Sequence, residues 1–184
     1  MVKRRTLSKE KVLETANEMI EAAGIEALTI RDLAEALDVR PQSIYNYVDS
    51  LGDLIDQVSL QFVNNLSEHL HQELTGVSGE AALMTFANAF RKACQEHRNI
   101  APVLLNLNKQ NSVRTHEALI ELYNGIFEPL HLKDSNGRIE STLYRSTLFG
   151  FIMQEIGGFF RLNPAQVDER FEATIKLAIS TMAP

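Results

Sequence analysis

An all-α fold is what this sequence predicts, and three observations predict it. Apolar side chains recur at three- and four-residue spacing through almost the whole chain. Five prolines and nine glycines mostly punctuate those periodic runs, and no segment alternates apolar with polar residues as a strand would. About nine helices joined by short loops follow from this pattern. With 45% apolar and 23% charged residues among 184, the chain has the composition of a packed globular protein and not of a disordered one.

The first helix runs from about Ser8 to Ala23, with Val12, Leu13, Ala16, Met19, Ile20 and Ala23 along one stripe. Ser8 can cap its start by accepting a backbone N–H, and Gly24 suits the left-handed residue that closes a last turn. A short second helix begins after Thr29, where Thr29 and Asp32 have the spacing of a capping box. Its apolar face is Ile30, Leu33, Ala34 and Leu37. Asp38 and Val39 make a turn, and Pro41 suits the first position of a third helix, Pro41 to Tyr47, because its missing N–H would be unpaired there anyway. One long helix spans about Leu51 to Leu74. Further helices are expected at about Glu80–His97, Ile100–Asn108, Val113–Leu130, Arg138–Leu162 and Pro164–Thr181, with Lys133–Gly137 as a polar loop.

The second and third helices, separated by a three- to four-residue turn, suggest a helix-turn-helix. Such a unit must present a short helix, polar outside and anchored inside, to a DNA major groove about 12 Å wide. The outer face would offer Arg40, Gln42, Ser43, Asn46 and Tyr47, while Ile44 and Val48 anchor it against Ile30, Leu33 and Leu37. A division into residues 1–50, binding DNA, and 51–184, regulatory, is the corresponding expectation.

The run Leu28-Thr29-Ile30-Arg31-Asp32-Leu33-Ala34-Glu35-Ala36-Leu37-Asp38-Val39, with Ser43-Ile44-Tyr45-Asn46-Tyr47-Val48 and the downstream Asp53-Leu54-Ile55, resembles the tetracycline-repressor (TetR) family. The likeness covers about the first third of the chain. It implies a ligand-responsive transcriptional regulator, a repressor rather than an activator, that binds double-stranded operator DNA. It also implies roles. Thr29 and its N–H would hold a phosphate at a helix start. Arg31 would reach the backbone or a nearby base. Arg40, Gln42 and Ser43 would read bases, Asn46 would lie with them on the DNA-binding face, and Tyr45 and Tyr47 would pack and donate hydroxyls to phosphates. Lys3, Arg4 and Arg5 would form a basic arm along the backbone or in the minor groove.

Two features depart from that pattern. Many family members carry a lysine just after the third helix, where this chain has Val48-Asp49-Ser50-Leu51, so that phosphate contact is expected to be lost. Residues 1–60 hold seven Lys or Arg against eleven Asp or Glu, a net charge of −4, whereas phosphate neutralisation usually needs a basic surface. Residues 1–11 soften the objection with five basic side chains and one acidic.

The last two segments are the candidates for holding two reading heads at a fixed spacing. In 138–162, Leu143, Leu148, Phe149, Phe151, Ile152, Ile156, Phe159 and Phe160 cover more than one face, and Gly150, Gly157 and Gly158 allow close approach. With the stripe Val167, Phe171, Ile175, Ala178, Ile179 and Met182 in 164–181, this fits a homodimer through a four-helix interface. By family analogy an effector pocket lies among the middle helices. Its candidates are Phe86, Phe90, Cys94, Leu104, Asn108, Tyr123, Phe127, Phe151 and Gln154, residues that taken singly are more often ordinary core than ligand contacts.

No enzyme is expected. The Gly-x-Ser-x-Gly, P-loop and dinucleotide-binding patterns are absent, and His69 and His71, two apart, face different sides of a helix. No cofactor or metal is expected either. The lone Cys94 excludes an internal disulfide. No secretory signal or apolar run long enough to span a membrane is visible, so a cytoplasmic location without membrane contact is expected. Two rivals stay open: a helical small-molecule binder with weakened or lost DNA binding, and an all-helical enzyme with an apolar pocket.

Overall fold

The computed structural model describes residues 7–105, 112–130 and 135–182. Among them the helices are α1 (Lys9–Ala23), α2 (Ile30–Ala36), α3 (Pro41–Ile44), α4 (Leu51–Glu73), α5 (Gly79–Glu96), α6 (Ala101–Leu105), α7 (Val113–Phe127), α8 (Ser135–Ile156) and α9 (Pro164–Ser180). Single 3-10 turns occupy Ile25–Ala27 and Glu128–Leu130, and there is no strand among the described residues. No described helix is long and apolar enough to cross a membrane.

Local chemistry sets most of the ends. Ser8 caps α1 by accepting the N–H of Lys11 at 3.3 Å, and Thr29 caps α2 by accepting that of Asp32 at 3.1 Å. Asn163 and Gln166 cap α9 reciprocally. Helix α2 closes when the N–H of Asp38 reaches the carbonyl of Glu35 and that of Val39 reaches Ala34. Asp38 takes the left-handed residue of this Schellman motif at φ 55°.

Three expected boundaries are corrected. Helix α3 ends at Ile44 and not at Tyr47, because the amides of Asn46 and Tyr47 turn back to Ser43 and Ile44 in tighter i to i−3 bonds. Helix α8 ends at Ile156, not at Leu162. Gly158, at φ 71°, donates to Glu155, and Phe159 donates to Gln154, a second Schellman closure that places Phe159 and Phe160 outside the helix. Its start lies at Ser135, so Ser135–Gly137, expected as loop, belong to its first turn, where the amides need no intrahelical partner. For the segment expected at Ile100–Asn108, helix is described from Ala101 to Leu105 and the remainder lies outside the described residues.

The chain divides into two compact units: Met1–Asn64 with His97–Ala118, and Asn65–Glu96 with Leu119–Pro184. The division falls within α4 and α7. In the first unit α1 packs on α2 and α2 on α3. Val12, Ala16, Ile20, Leu28, Leu33, Ile44 and Val48 are buried there, each large aliphatic contributing about 1.5–3 kcal/mol by leaving water. The same unit holds a polar clamp. Arg114, in the first turn of α7, bonds the carboxylates of Asp53 and Asp56 on α4, at 2.8 Å for Asp56. Asp56 also accepts the N–H and the hydroxyl of Thr115, so it caps α7 from another helix.

In the second unit α5, α8 and α9 contact one another. Arg91 on α5 is buried at their meeting point. It donates twice to Glu155, at 2.8 and 2.6 Å, and to Asp168 at 2.7 Å, with its guanidinium 4.5 Å from the Phe171 ring centroid. The remaining core of this unit joins the rings of Phe86, Phe90, Tyr123 and Tyr144 to aliphatic side chains such as Leu83, Leu148 and Ile175.

Candidate nucleic-acid interface

Helices α2 and α3 bring together most of the residues that the sequence marks for DNA. Ile44 and Val48 are buried at 0% and 2% exposure, and Leu33 and Leu37 lie beneath them in the core. That anchoring turns Arg40, Gln42 and Asn46 outward, all exposed, with Ser43 half-buried between them. Arg40 is the N-cap of α3 and pairs with no carboxylate among the described residues. Tyr45 is 46% exposed, so its ring stands at the surface.

Thr29 and Arg31 are exposed at the start of α2. The Thr29 hydroxyl accepts the Asp32 amide and donates to the Asp32 carboxylate at 2.6 Å, so cap and side chain form a closed pair. Tyr47 is half-buried and donates its hydroxyl to the carbonyl of Leu7 at 2.7 Å. Its proton, expected on a phosphate, is here engaged within the protein, and it ties the base of the N-terminal arm to the end of α3. Lys3, Arg4 and Arg5 themselves lie outside the described residues.

Where relatives would place the lysine, Asp49 and Ser50 are structural. The Asp49 amide donates to Asp53 at 2.9 Å, and Ser50 caps α4 by accepting the Asp53 amide at 3.0 Å. Burial pushes the Asp53 and Asp56 carboxyls up, but the hydrogen bonds from Asp49, Gln57 and Thr115 and the Arg114 guanidinium outweigh it, holding both below their ordinary values. Part of the acid excess of residues 1–60 is therefore neutralised internally by a basic side chain from a distant segment. Sequence reading missed Arg114, because its partners are 58 and 61 positions away.

The effector candidates do not form one group. Phe86, Phe90, Tyr123 and Phe127 meet in the second compact unit, with ring centroids 5.4 to 6.3 Å apart. Phe149, which the sequence reading assigned to the dimer helix, joins them at 5.4 Å from Phe90. Cys94 is buried in the same unit, and burial pushes its thiol up to about 12. Phe151 is buried elsewhere, against Phe160 and Phe171. Gln154 is exposed, Leu104 is buried in the first unit, and Asn108 lies outside the described residues. No group of three His, Cys, Asp or Glu that could hold a metal ion occurs among the described residues.

Comparison with known proteins agrees with the head and with the whole fold. The family model for bacterial regulatory proteins of the tetR family matches residues 12–58. An uncharacterised HTH-type transcriptional regulator of Mycobacterium tuberculosis is 32% identical over 91 residues, covering 50% of this chain and 42% of the relative. The tetracycline repressor protein class D of Escherichia coli is 31% identical over 101 residues, covering 54% and 45%. The chain thus spans less than half the length of these curated relatives. The solved structure of Mycobacterium smegmatis BioQ has a TM-score of 0.74 at 20% identity, covering 96% of this chain and 98% of that one, a likeness of fold. Residues 12–58 thus match the family model for bacterial regulatory proteins of the tetR family, and the helical fold of the chain is that of the solved structure.

Proposed function

We propose that this protein is a sequence-specific DNA-binding transcriptional regulator whose binding is released by a small effector. The observation that carries the reading is the outward face of α3. Arg40, Gln42, Tyr45 and Asn46 are exposed together along α3 and the residues that flank it, a segment pinned from within by Ile44 and Val48. Arginine to guanine is the commonest specific contact, and each such bidentate pair is worth about 1–3 kcal/mol of discrimination. Residues 1–50 are the reading head in this proposal and 51–184 the regulatory part, with the cytoplasm, where the DNA is, as the compartment. Repression is the mode, by analogy with relatives named as repressors.

Two heads must reach successive grooves about 34 Å apart, so the working form is a homodimer. This reading assigns the two-fold contact to helices α8 and α9. Ile139, Leu143 and Met153 lie along α8 at spacings of three- and four-residue multiples and are exposed, as is Leu177 on α9. Ile139 and Leu177 are 65% and 69% exposed, which leaves them free to be covered by a second copy. Effector binding would act through α4, which runs without a break from the head into the second unit. A coupling of about 1–3 kcal/mol between effector and DNA sites is typical of such switches.

The test is selection of genomic fragments by purified protein at two salt concentrations, with Arg40→Ala beside the wild type. Enrichment of one palindromic site, lost at high salt and relaxed by Arg40→Ala, is expected. No enrichment at either salt would favour the rival reading, a helical small-molecule binder that no longer binds DNA.

A further inference from the structure

Inside the unit of Asn65–Glu96 and Leu119–Pro184, four phenylalanines, Phe86, Phe90, Phe127 and Phe149, stand around the ring of Tyr123 at centroid distances of 5.4 to 6.3 Å. Tyr123 is 5% exposed, and its hydroxyl has no hydrogen-bond partner. A buried hydroxyl left unpaired has lost its water without recompense, and phenylalanine would fill the same space without that cost. The neighbouring tyrosine shows the usual solution, since Tyr144 donates to the carbonyl of Leu83 at 2.6 Å. Burial raises the Tyr123 phenol well above its ordinary value, with Tyr144 and Cys94 adding to the shift and Arg145 opposing it. The oxygen therefore keeps its proton at neutral pH and is available as a donor.

Arg145 on α8 lies beside this ring, its guanidinium carbon 5.7 Å from the Tyr123 centroid. It is half-buried, and it makes only long bonds, to the carbonyl of Ser141 at 3.2 Å and to the hydroxyl of Thr142 at 3.3 Å. Arg91 and Arg114 each bind two carboxylates, whereas Arg145 pairs with none among the described residues. A partly desolvated guanidinium without a counter-ion and an unpaired phenolic donor meet at one aromatic cluster. The species that satisfies both is an anionic oxygen acceptor on an apolar body.

We propose that Tyr123 and Arg145 form the polar end of the effector site and that the ligand is a carboxylic acid bearing an aromatic ring. The carboxylate accepts from the guanidinium fork and from the phenol, while the ring takes edge and offset contacts among the phenylalanines. A neutral analogue keeps the ring contacts and the phenol bond but forfeits the ion pair, and a cation is repelled by Arg145. The consequence for DNA rests on the effector-responsive reading above; the binding site itself does not.

The test is isothermal titration of the full chain, without DNA, using phenylacetate, cinnamate and 4-phenylbutyrate, each beside its primary amide. Wild type, Tyr123→Phe, Arg145→Gln and Arg145→Lys are compared. At least one acid binds about tenfold or more tightly than its amide, since a charge-assisted bond is the difference between them. Arg145→Gln erases that preference, Arg145→Lys keeps part of it, and Tyr123→Phe weakens acid and amide alike. The free Tyr123→Phe protein melts at the same temperature as the wild type or higher, because an unpaired hydroxyl is gone. Equal binding of acid and amide, binding by none of the acids, or a lower melting temperature for free Tyr123→Phe overturns the proposal. Retention of enriched DNA fragments with and without the bound acid then separates the two readings. An acid that binds through both residues but leaves DNA retention unchanged keeps the site and removes the switch, and a protein that retains no DNA removes the regulator while the titration stands.

Discussion

Gly24 holds φ 83° and ψ 165°, a backbone region that essentially only glycine occupies. A Cβ added there meets nothing within 4 Å, so any cost of replacing it is backbone strain and not collision. Gly24→Ala is expected to lose about 1–3 kcal/mol, read as a lower urea midpoint at unchanged slope. Asp38 solves a related problem differently, since a short polar side chain tolerates the left-handed region at φ 55°. Both positions are legible as punctuation in the sequence. The arginines are not. Arg91, Arg114 and Arg145 look alike along the chain, and only their neighbours distinguish a core ion pair, an interhelical clamp and a cation with no counter-ion among the described residues.

Between helices, the clamp of Arg114 on Asp53 and Asp56 joins the first turn of α7 to the first two turns of α4, directly after the helix-turn-helix. Burial raises both carboxyls, and their hydrogen bonds, with the Arg114 charge, lower them further than burial lifts them. The folded state thus binds these protons less tightly than the unfolded chain, whose aspartates titrate near pH 4. The clamp's contribution is full above about pH 4 and is lost as pH falls below that, through the depressed folded values. Arg114→Gln is expected to flatten the acid limb of urea stability below about pH 4 relative to wild type. An unchanged acid limb would show that the clamp contributes nothing measurable. Element positions were mostly readable from caps and periodicity, as at Ser8, Thr29 and Pro164. The exception is the end of α8, where Gly157-Gly158 was read as a place for close packing although Gly158 closes the helix.

On the scale of the whole molecule, the proposed homodimer would pair the exposed apolar residues of α8 and α9. Placing Glu at Leu143 and Leu177 together puts like charges on both sides of a two-fold contact. Leu143→Glu/Leu177→Glu is expected to sediment as a monomer with its helical content intact, and to bind palindromic DNA more weakly than wild type. A double variant that stays dimeric would move the interface to other elements. The acidic balance belongs to this scale too. Residues 97–118 carry three basic side chains and one acidic, so the unit they share with residues 1–64 is less acidic than residues 1–60 alone.

The sequence by itself determined the helices, most of their caps and the helix-turn-helix. These depend on neighbours three or four residues apart, and the apolar period, Thr29, Pro41 and Gly24 carry that information locally. It also separated the inward Ile44 and Val48 from the outward Arg40, Gln42 and Asn46, because a helix face follows from spacing alone. Only the tertiary structure decided the partners of the charged and hydroxyl groups. Arg91 meets Asp168 across 77 positions, and Tyr47 meets Leu7 across 40. It likewise decided which aromatics form a cluster and which of their polar atoms stays unpaired. Periodicity tells which side of a helix is buried, but not what it is buried against, and the chemistry of an effector site lies in that second fact.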